Sequence, residues 1–352
     1  MGVTVAEFGN TLKGEAVQWY TLENGSGLSV SVITYGARII ELMVPDRRGV
    51  PGDVVWGYDT IGEYCTPRDS QGAIIRRYAG RIRGASMTLE GKHYALADNA
   101  NGNTLHGGTG TGACFSEKVW EVAEVKQSET PSLTLRLLSR DGEGGFPGNL
   151  EVFVTYSLTG DNQLDIRYLA RCDQTTALNL TSHCFFNLNG YNGSSIHSQY
   201  LSVAADTYTE MAGDDVLSGR ILPVSGTPLD FTRERLLGEG IGAFERGYNH
   251  NFVLNNGGAA YAQAACLYDP ASGREMKVYS DQPGLQVYTA GGVKKGKKGK
   301  KGSEMYPFGS VCLETQHFPD SVHYPQFPST VLHPGEVYAS HTAYAFGTRD
   351  EG

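Results

Sequence analysis

The chain has 352 residues, with 46 glycines, 14 prolines and a formal net charge of −9. The length is ample for a large core, and the turn-rich composition favours short strands over long helices. The acidic balance argues against nucleic-acid binding, and no stretch reaches the roughly twenty apolar residues of a membrane-spanning helix.

The N-terminus, MGVTVAEFGN, lacks the basic-then-apolar pattern of a signal peptide, so a cytoplasmic protein is expected. Period-two alternation then recurs from end to end. Leu28–Ile33, Leu133–Leu138, Glu151–Leu158, Leu164–Ala170 and Leu285–Thr289 all read as half-buried strands. Turn clusters at 23–27, 141–145, 159–162 and 255–258 separate such runs. Helical periodicity is scarce; Thr232–Leu237 reads as a short helix capped by Thr232 or Asp230 and ended by Gly238. Strand following strand without regular helices predicts an all-β chain, a large antiparallel sandwich with few short helices. No linker interrupts it, so residues 1–352 are expected to form a single domain. Cys65, Cys114, Cys172, Cys184, Cys266 and Cys312 contain no CxxC pair and read as reduced thiols, neither a disulfide frame nor a zinc site. Lys294–Lys301, KKGKKGKK, reads as a mobile exposed loop at a pocket rim, because like charges repel and glycine adds freedom.

Four segments carry groups suited to chemistry. In VCLETQHFPD, Glu314 follows the apolar run Val311, Cys312 and Leu313 and precedes a turn-rich segment with four prolines. A carboxylate at the end of a buried strand, beside an ordered loop, is well placed for a general base. His106 precedes Gly107 and Gly108, which allow a tight turn that leaves the imidazole accessible. His183 lies among strand-like apolar residues and is expected to point into a lined cavity. Arg76, Arg77, Arg81 and Arg83 crowd one short segment. They read either as a solvated strand edge or as donors for sugar hydroxyls or a carboxylate. Histidine in any one of these settings also fits a hydrogen-bonded structural residue.

Taken in order, the motifs resemble the galactose mutarotase (aldose 1-epimerase) family. They are NTLHGG at Asn103–Gly108, GGFPG at Gly144–Gly148, SHCFFNL at Ser182–Leu188 and GTPLDF at Gly226–Phe231 after Ala205-Asp206. YNHNFVL at Tyr248–Leu254, QVYT at Gln286–Thr289 and CLETQHFPD at Cys312–Asp320 follow. The likeness runs over residues 10 to 347. It implies the family's β-supersandwich, with Glu314 as general base and His183 as general acid. It further implies that His106, Arg81, Asn249 and Gln286 hold the sugar. Two departures stand out. Gly80 replaces the asparagine before the family's arginine, and Asn249 replaces its sugar-binding aspartate. The second exchanges a charge-assisted hydrogen bond for a neutral one of about half the strength.

The reaction implied is the interconversion of α and β anomers of a free hexose such as galactose or glucose. A base removes the C1 hydroxyl proton while an acid on the opposite side of the anomeric centre protonates the ring oxygen. Partial desolvation of Glu314 by its apolar neighbours is expected to raise its pKa towards that task. No cofactor or metal is called for; the partner is a small-molecule aldose, and the protein is expected to be a monomer or homodimer. Alternatives are a two-carboxylate glycosidase using Glu314 and Asp320, and a hexose-6-phosphate epimerase with Arg76, Arg77 and Arg83 as phosphate cradle. A non-catalytic carbohydrate-binding protein, and a metal enzyme built on His106, His183 and Glu314, complete the set.

Overall fold

A computed structural model describes residues 2–65, 70–75, 77–108, 110, 114–191 and 194–350. Strand makes up 46% of the chain and helix 9%, so the all-β expectation holds. The only α-helical turns among the described residues, Ile61–Tyr64 and Leu237–Gly240, are four residues long. No helix among them is long and apolar enough to cross a membrane.

Three antiparallel sheets dominate. The first is a five-stranded meander of Gly2–Asn10, Ala16–Glu23, Ser29–Ile33, Arg38–Pro45 and Pro51–Asp53. The second has nine strands. Glu121–Lys126, Ser132–Ser139, Leu150–Leu158 and Gln163–Cys172 form one wing, and Tyr338–Thr348 joins them to Arg274–Ser280, Ala262–Tyr268, Tyr200–Val203 and Arg235–Leu236. The third runs Leu217–Pro223, Thr207–Met211, Asn249–Val253, Gly284–Tyr288 and Cys312–Gln316.

Alternation explains how they stack. Along Leu150–Leu158 every second residue (Leu150, Val152, Val154, Tyr156, Leu158) is fully buried, and the residues between are half-exposed. Those side chains join Leu22, Val30 and Leu42 of the first sheet and Phe252, Leu285 and Leu313 of the third in one apolar core. The nine-stranded sheet thus packs one face against both smaller sheets, which is a sandwich. The predicted strands were found with ends moved by a residue or two, as in Gln163–Cys172 and Gly284–Tyr288.

Two local expectations fail. Thr232–Leu237 is not a helix, because Arg235 and Leu236 pair with Leu201 and Tyr200 at the edge of the large sheet, and the helical turn starts only at Leu237. Nor is the lysine-rich segment simply an exposed loop. Lys297–Lys298 pairs with Glu304–Met305 as a hairpin. Lys300 is buried, and its ammonium donates to the Ile40 carbonyl at 2.7 Å and to the Asp53 carboxylate. The sequence places five neighbouring lysines beside it but gives no sign of a carboxylate that lies 247 residues away. All six cysteines are free.

Candidate active site

The third sheet forms the floor of the site. Strand register sets Asn251 opposite Gln286 and Gln286 opposite Glu314; Asn249, Tyr288 and Cys312 form the next row. Directly opposed residues in an antiparallel pair share a face, so two ranks of polar side chains point the same way. The opposite face carries Phe252, Val287 and Leu313 into the core. Glu314 therefore sits in the middle of Cys312–Gln316, not at a strand end as its sequence setting suggests.

Glu314 is only 3% exposed, and burial pushes its carboxyl up to about 8. Its Oε1 lies 3.7 Å from His183 Nε2. The two groups are therefore neighbours. His183 follows the short strand Thr181–Ser182, and two backbone hydrogen bonds hold it: its N–H donates to Ala73 O and its carbonyl accepts from Gly72 N, each at 2.9 Å. The ring stacks on Phe185 with centroids 4.9 Å apart and meets the His106 ring edge-on at 5.4 Å. Nδ1 faces the Cys312 thiol at 3.6 Å.

His106 stands in a left-handed turn with φ 50°, followed by Gly107 and Gly108, also at positive φ. Its backbone N–H donates to Gly80 O at 3.0 Å, and Gly80 N–H donates back to His106 Nδ1 at 3.2 Å. A backbone N–H can only donate, so Nδ1 is the acceptor and the neutral ring carries its proton on Nε2. Burial, and then the neighbouring His183 and Arg81, hold the pKa well below 6.5. His106 is thus a neutral donor in a half-buried setting, less accessible than its glycine-rich context suggests.

Arg81 reaches Asp215 Oδ2 through Nη2 at 3.0 Å, and Arg246 approaches the same oxygen at 3.4 Å. Gln286 Nε2 donates to Asn249 Oδ1 at 2.7 Å, which fixes the orientation of both amides. This leaves Gln286 Oε1, Asn251 Oδ1 and Glu314 Oε2 as buried acceptors without a hydrogen-bond partner among the described residues. Buried unpaired acceptors of this kind each cost about 1–3 kcal/mol and call for a donor-rich ligand.

All six candidate residues are brought to this region, five of them linked by the pairings just given. Sequence reasoning missed Asp215, Asn251 and Cys312. Asn251 was within reach, since it lies two residues from Asn249 and so on the same face of its strand. Other candidates are committed elsewhere. Arg77 is buried and donates to the carbonyls of Pro147 (2.8 Å) and Gly148 (2.7 Å), so it offers nothing to a phosphate. Arg83 bonds Leu217 O and the Tyr324 hydroxyl, and Arg76 lies outside the described residues. Asp320 accepts from Arg83 N at 3.0 Å and lies 2.7 Å from His323 Nδ1, a loop anchor in place of a second catalytic acid. The metal reading also changes. His106 is not in the potential ligand group; a nitrogen of His183, Cys312 Sγ and a Glu314 oxygen are the atoms that lie within 4.8 Å of one another.

The aldose 1-epimerase family model matches residues 18–345. Galactose mutarotase from Rattus norvegicus is 37% identical over 349 residues, covering 98% of this chain and 99% of the relative. Aldose 1-epimerase from Escherichia coli K12 is 31% identical over 341 residues, covering 95% and 96%. A crystal structure of an aldose epimerase homologue from C. elegans superposes with a TM-score of 0.86 at 27% identity, covering 94% of this chain and 99% of that one. A match along nearly the whole length, at this identity, places the chain in the aldose 1-epimerase family.

Proposed function

We propose that the protein is an aldose 1-epimerase, interconverting the α and β anomers of free hexoses such as galactose and glucose. The carrying observation is the carboxyl of Glu314, buried beside His183 and ringed by unpartnered amide acceptors. A sugar is a dense array of hydroxyl donors, and that is what such acceptors lack. Gln286 and Asn249 bind hydroxyls, and Arg81, steadied by Asp215, offers its remaining donors. His106 donates Nε2–H near the ring oxygen.

Reaction requires two proton transfers at the oxygens on C1. In the reactive form the shared proton sits on His183, and Glu314, as the carboxylate, takes the proton of the C1 hydroxyl. Protonated His183 gives its proton to O5 as the C1–O5 bond breaks and the C1 carbonyl forms. After rotation about C1–C2 the O5 hydroxyl adds to the other face of the carbonyl. His183 recovers the proton from O5, and Glu314 returns its proton to O1. The catalytic pair shares one proton throughout, so nothing is consumed. Because O1 and O5 are bonded to the same carbon, an acid and a base only 3.7 Å apart can address both from one side. Each contributes on the order of 10²–10⁴-fold in rate. The neutral amide of Asn249 suits a hydroxyl that needs an acceptor without a full charge.

The scattered free thiols fit a reducing compartment, and we place the protein in the cytoplasm as a monomer or homodimer. Saturation transfer between the anomeric protons of equilibrated galactose tests the proposal. Wild-type protein transfers saturation between the anomers, and His183→Gln reduces the rate by at least about 10². Undiminished exchange in His183→Gln overturns the assignment of the acid. Transfer with galactose 6-phosphate but not with galactose overturns the substrate class.

A further inference from the structure

Cys312 is a group of the site to which the proposed reaction gives no task. It lies two residues before Glu314 on the same strand and face, fully buried, with Sγ 3.6 Å from His183 Nδ1. Glu314 Oε1 stands 3.7 Å from His183 Nε2, and Oε2 has no hydrogen-bond partner among the described residues. One ligand atom from each of these three residues falls within 4.8 Å of the others.

We propose that His183, Cys312 and Glu314 form a binding site for a soft divalent cation such as zinc, and that occupation shuts down the catalytic pair. The ligand set is imidazole, thiolate and carboxylate, the three donor types that zinc takes from proteins. At bond lengths of about 2.0–2.3 Å, ligand atoms around a tetrahedral ion stand roughly 3.3–3.8 Å apart. The spacings seen here need a contraction of at most about 1.5 Å, within reach of side-chain torsions. Once its proton is displaced, the Glu314 carboxylate supplies anionic charge in a buried setting, where a cation is held most strongly. The fourth position opens towards the sugar-binding side chains and takes water. Binding replaces the thiol proton and the proton on the Glu314 carboxyl, both of which leave to solvent, and ties up the imidazole and carboxylate that the reaction uses. The cation is thus an inhibitor at this site and takes no part in the chemistry. Its binding is independent of the sugar reading, although the inhibition rests on it.

Cobalt(II) titration of the purified protein reads the site without an activity assay. A thiolate-to-cobalt charge-transfer band in the near ultraviolet should grow to one equivalent and disappear when zinc is added. Cys266→Ser, whose thiol lies beside Arg349, keeps the band. Cys312→Ser lacks it while matching the wild type in thermal unfolding. Glu314→Gln keeps the thiolate and weakens cobalt binding at least roughly tenfold. A wild-type protein with no band, a Cys312→Ser protein that keeps it, or a Glu314→Gln protein with unchanged affinity overturns the proposal. Since no step depends on substrate, failure here leaves the epimerase reading intact, and loss of epimerase activity leaves this result standing.

Discussion

Replacing Glu314 by glutamine tests the physical origin of its altered acidity apart from its role in catalysis. Burial raises the carboxyl from 4.5 to about 8. In the unfolded chain the group ionises above 4.5, whereas in the folded protein it keeps its proton until the pH nears 8. Between these values the folded state binds more protons than the unfolded state. Stability is therefore greatest below the lower value and falls as pH rises, by about 1.4 kcal/mol per pH unit, until it levels off above the upper one. The whole span amounts to roughly 5 kcal/mol. Glutamine has nearly the same shape and does not titrate, so the variant lacks this slope. Urea unfolding of both proteins from about pH 5 to about pH 8 measures the effect. The other titrating groups are common to the two, so the difference between the curves largely isolates this carboxyl. The variant should gain on the wild type by roughly 3–5 kcal/mol across the range. Parallel curves would refute the claim that Glu314 is desolvated in the fold.

Other outcomes follow from neighbouring features. Lys300→Met leaves the buried Asp53 carboxylate without its ammonium and should cost about 3–5 kcal/mol in urea unfolding, with most of it recovered in the double variant with Asp53→Asn. A loss below about 1 kcal/mol would place the ion pair among the weak surface type. Gly80→Asn restores the family's residue, yet an added Cβ there meets Pro319 Cβ at 2.7 Å, so it should destabilise by about 1–3 kcal/mol; equal thermal midpoints would contradict this. Asp215→Asn frees Arg81 from its anchor and should raise KM for galactose several-fold with little change in kcat, and an unchanged KM would remove Asp215 from the site.

The parts of this molecule that were legible in its sequence are those governed by short-range pattern. Leu150–Leu158 shows its buried face in every second letter, so strand, face and burial followed together. Glu314 stood out because a charge amid an apolar strand pattern demands a reason. Features set by distant partners were hidden. Lys300 looks like its five lysine neighbours until the fold brings Asp53 to it. Arg235 and Leu236 carry a helix-like context, but the open edge at Tyr200–Leu201 offers ladder hydrogen bonds that outweigh local preference. Cys312 seemed one of six scattered thiols, and only the return of the Thr181–Ser182 segment sets an imidazole against it. Arg77 and Arg83, two of a basic cluster, go to separate structural tasks because the chain turns between them at Gly80.

The central claim is that Glu314 and His183 open and close a sugar ring, and polarimetry of freshly dissolved α-D-galactose tests it most directly. Wild-type protein should speed the drift to the equilibrium rotation well beyond the spontaneous rate, and Glu314→Gln should lose at least about 10² of that acceleration. Equal acceleration by the two proteins, or none by the wild type with galactose or glucose, would contradict it.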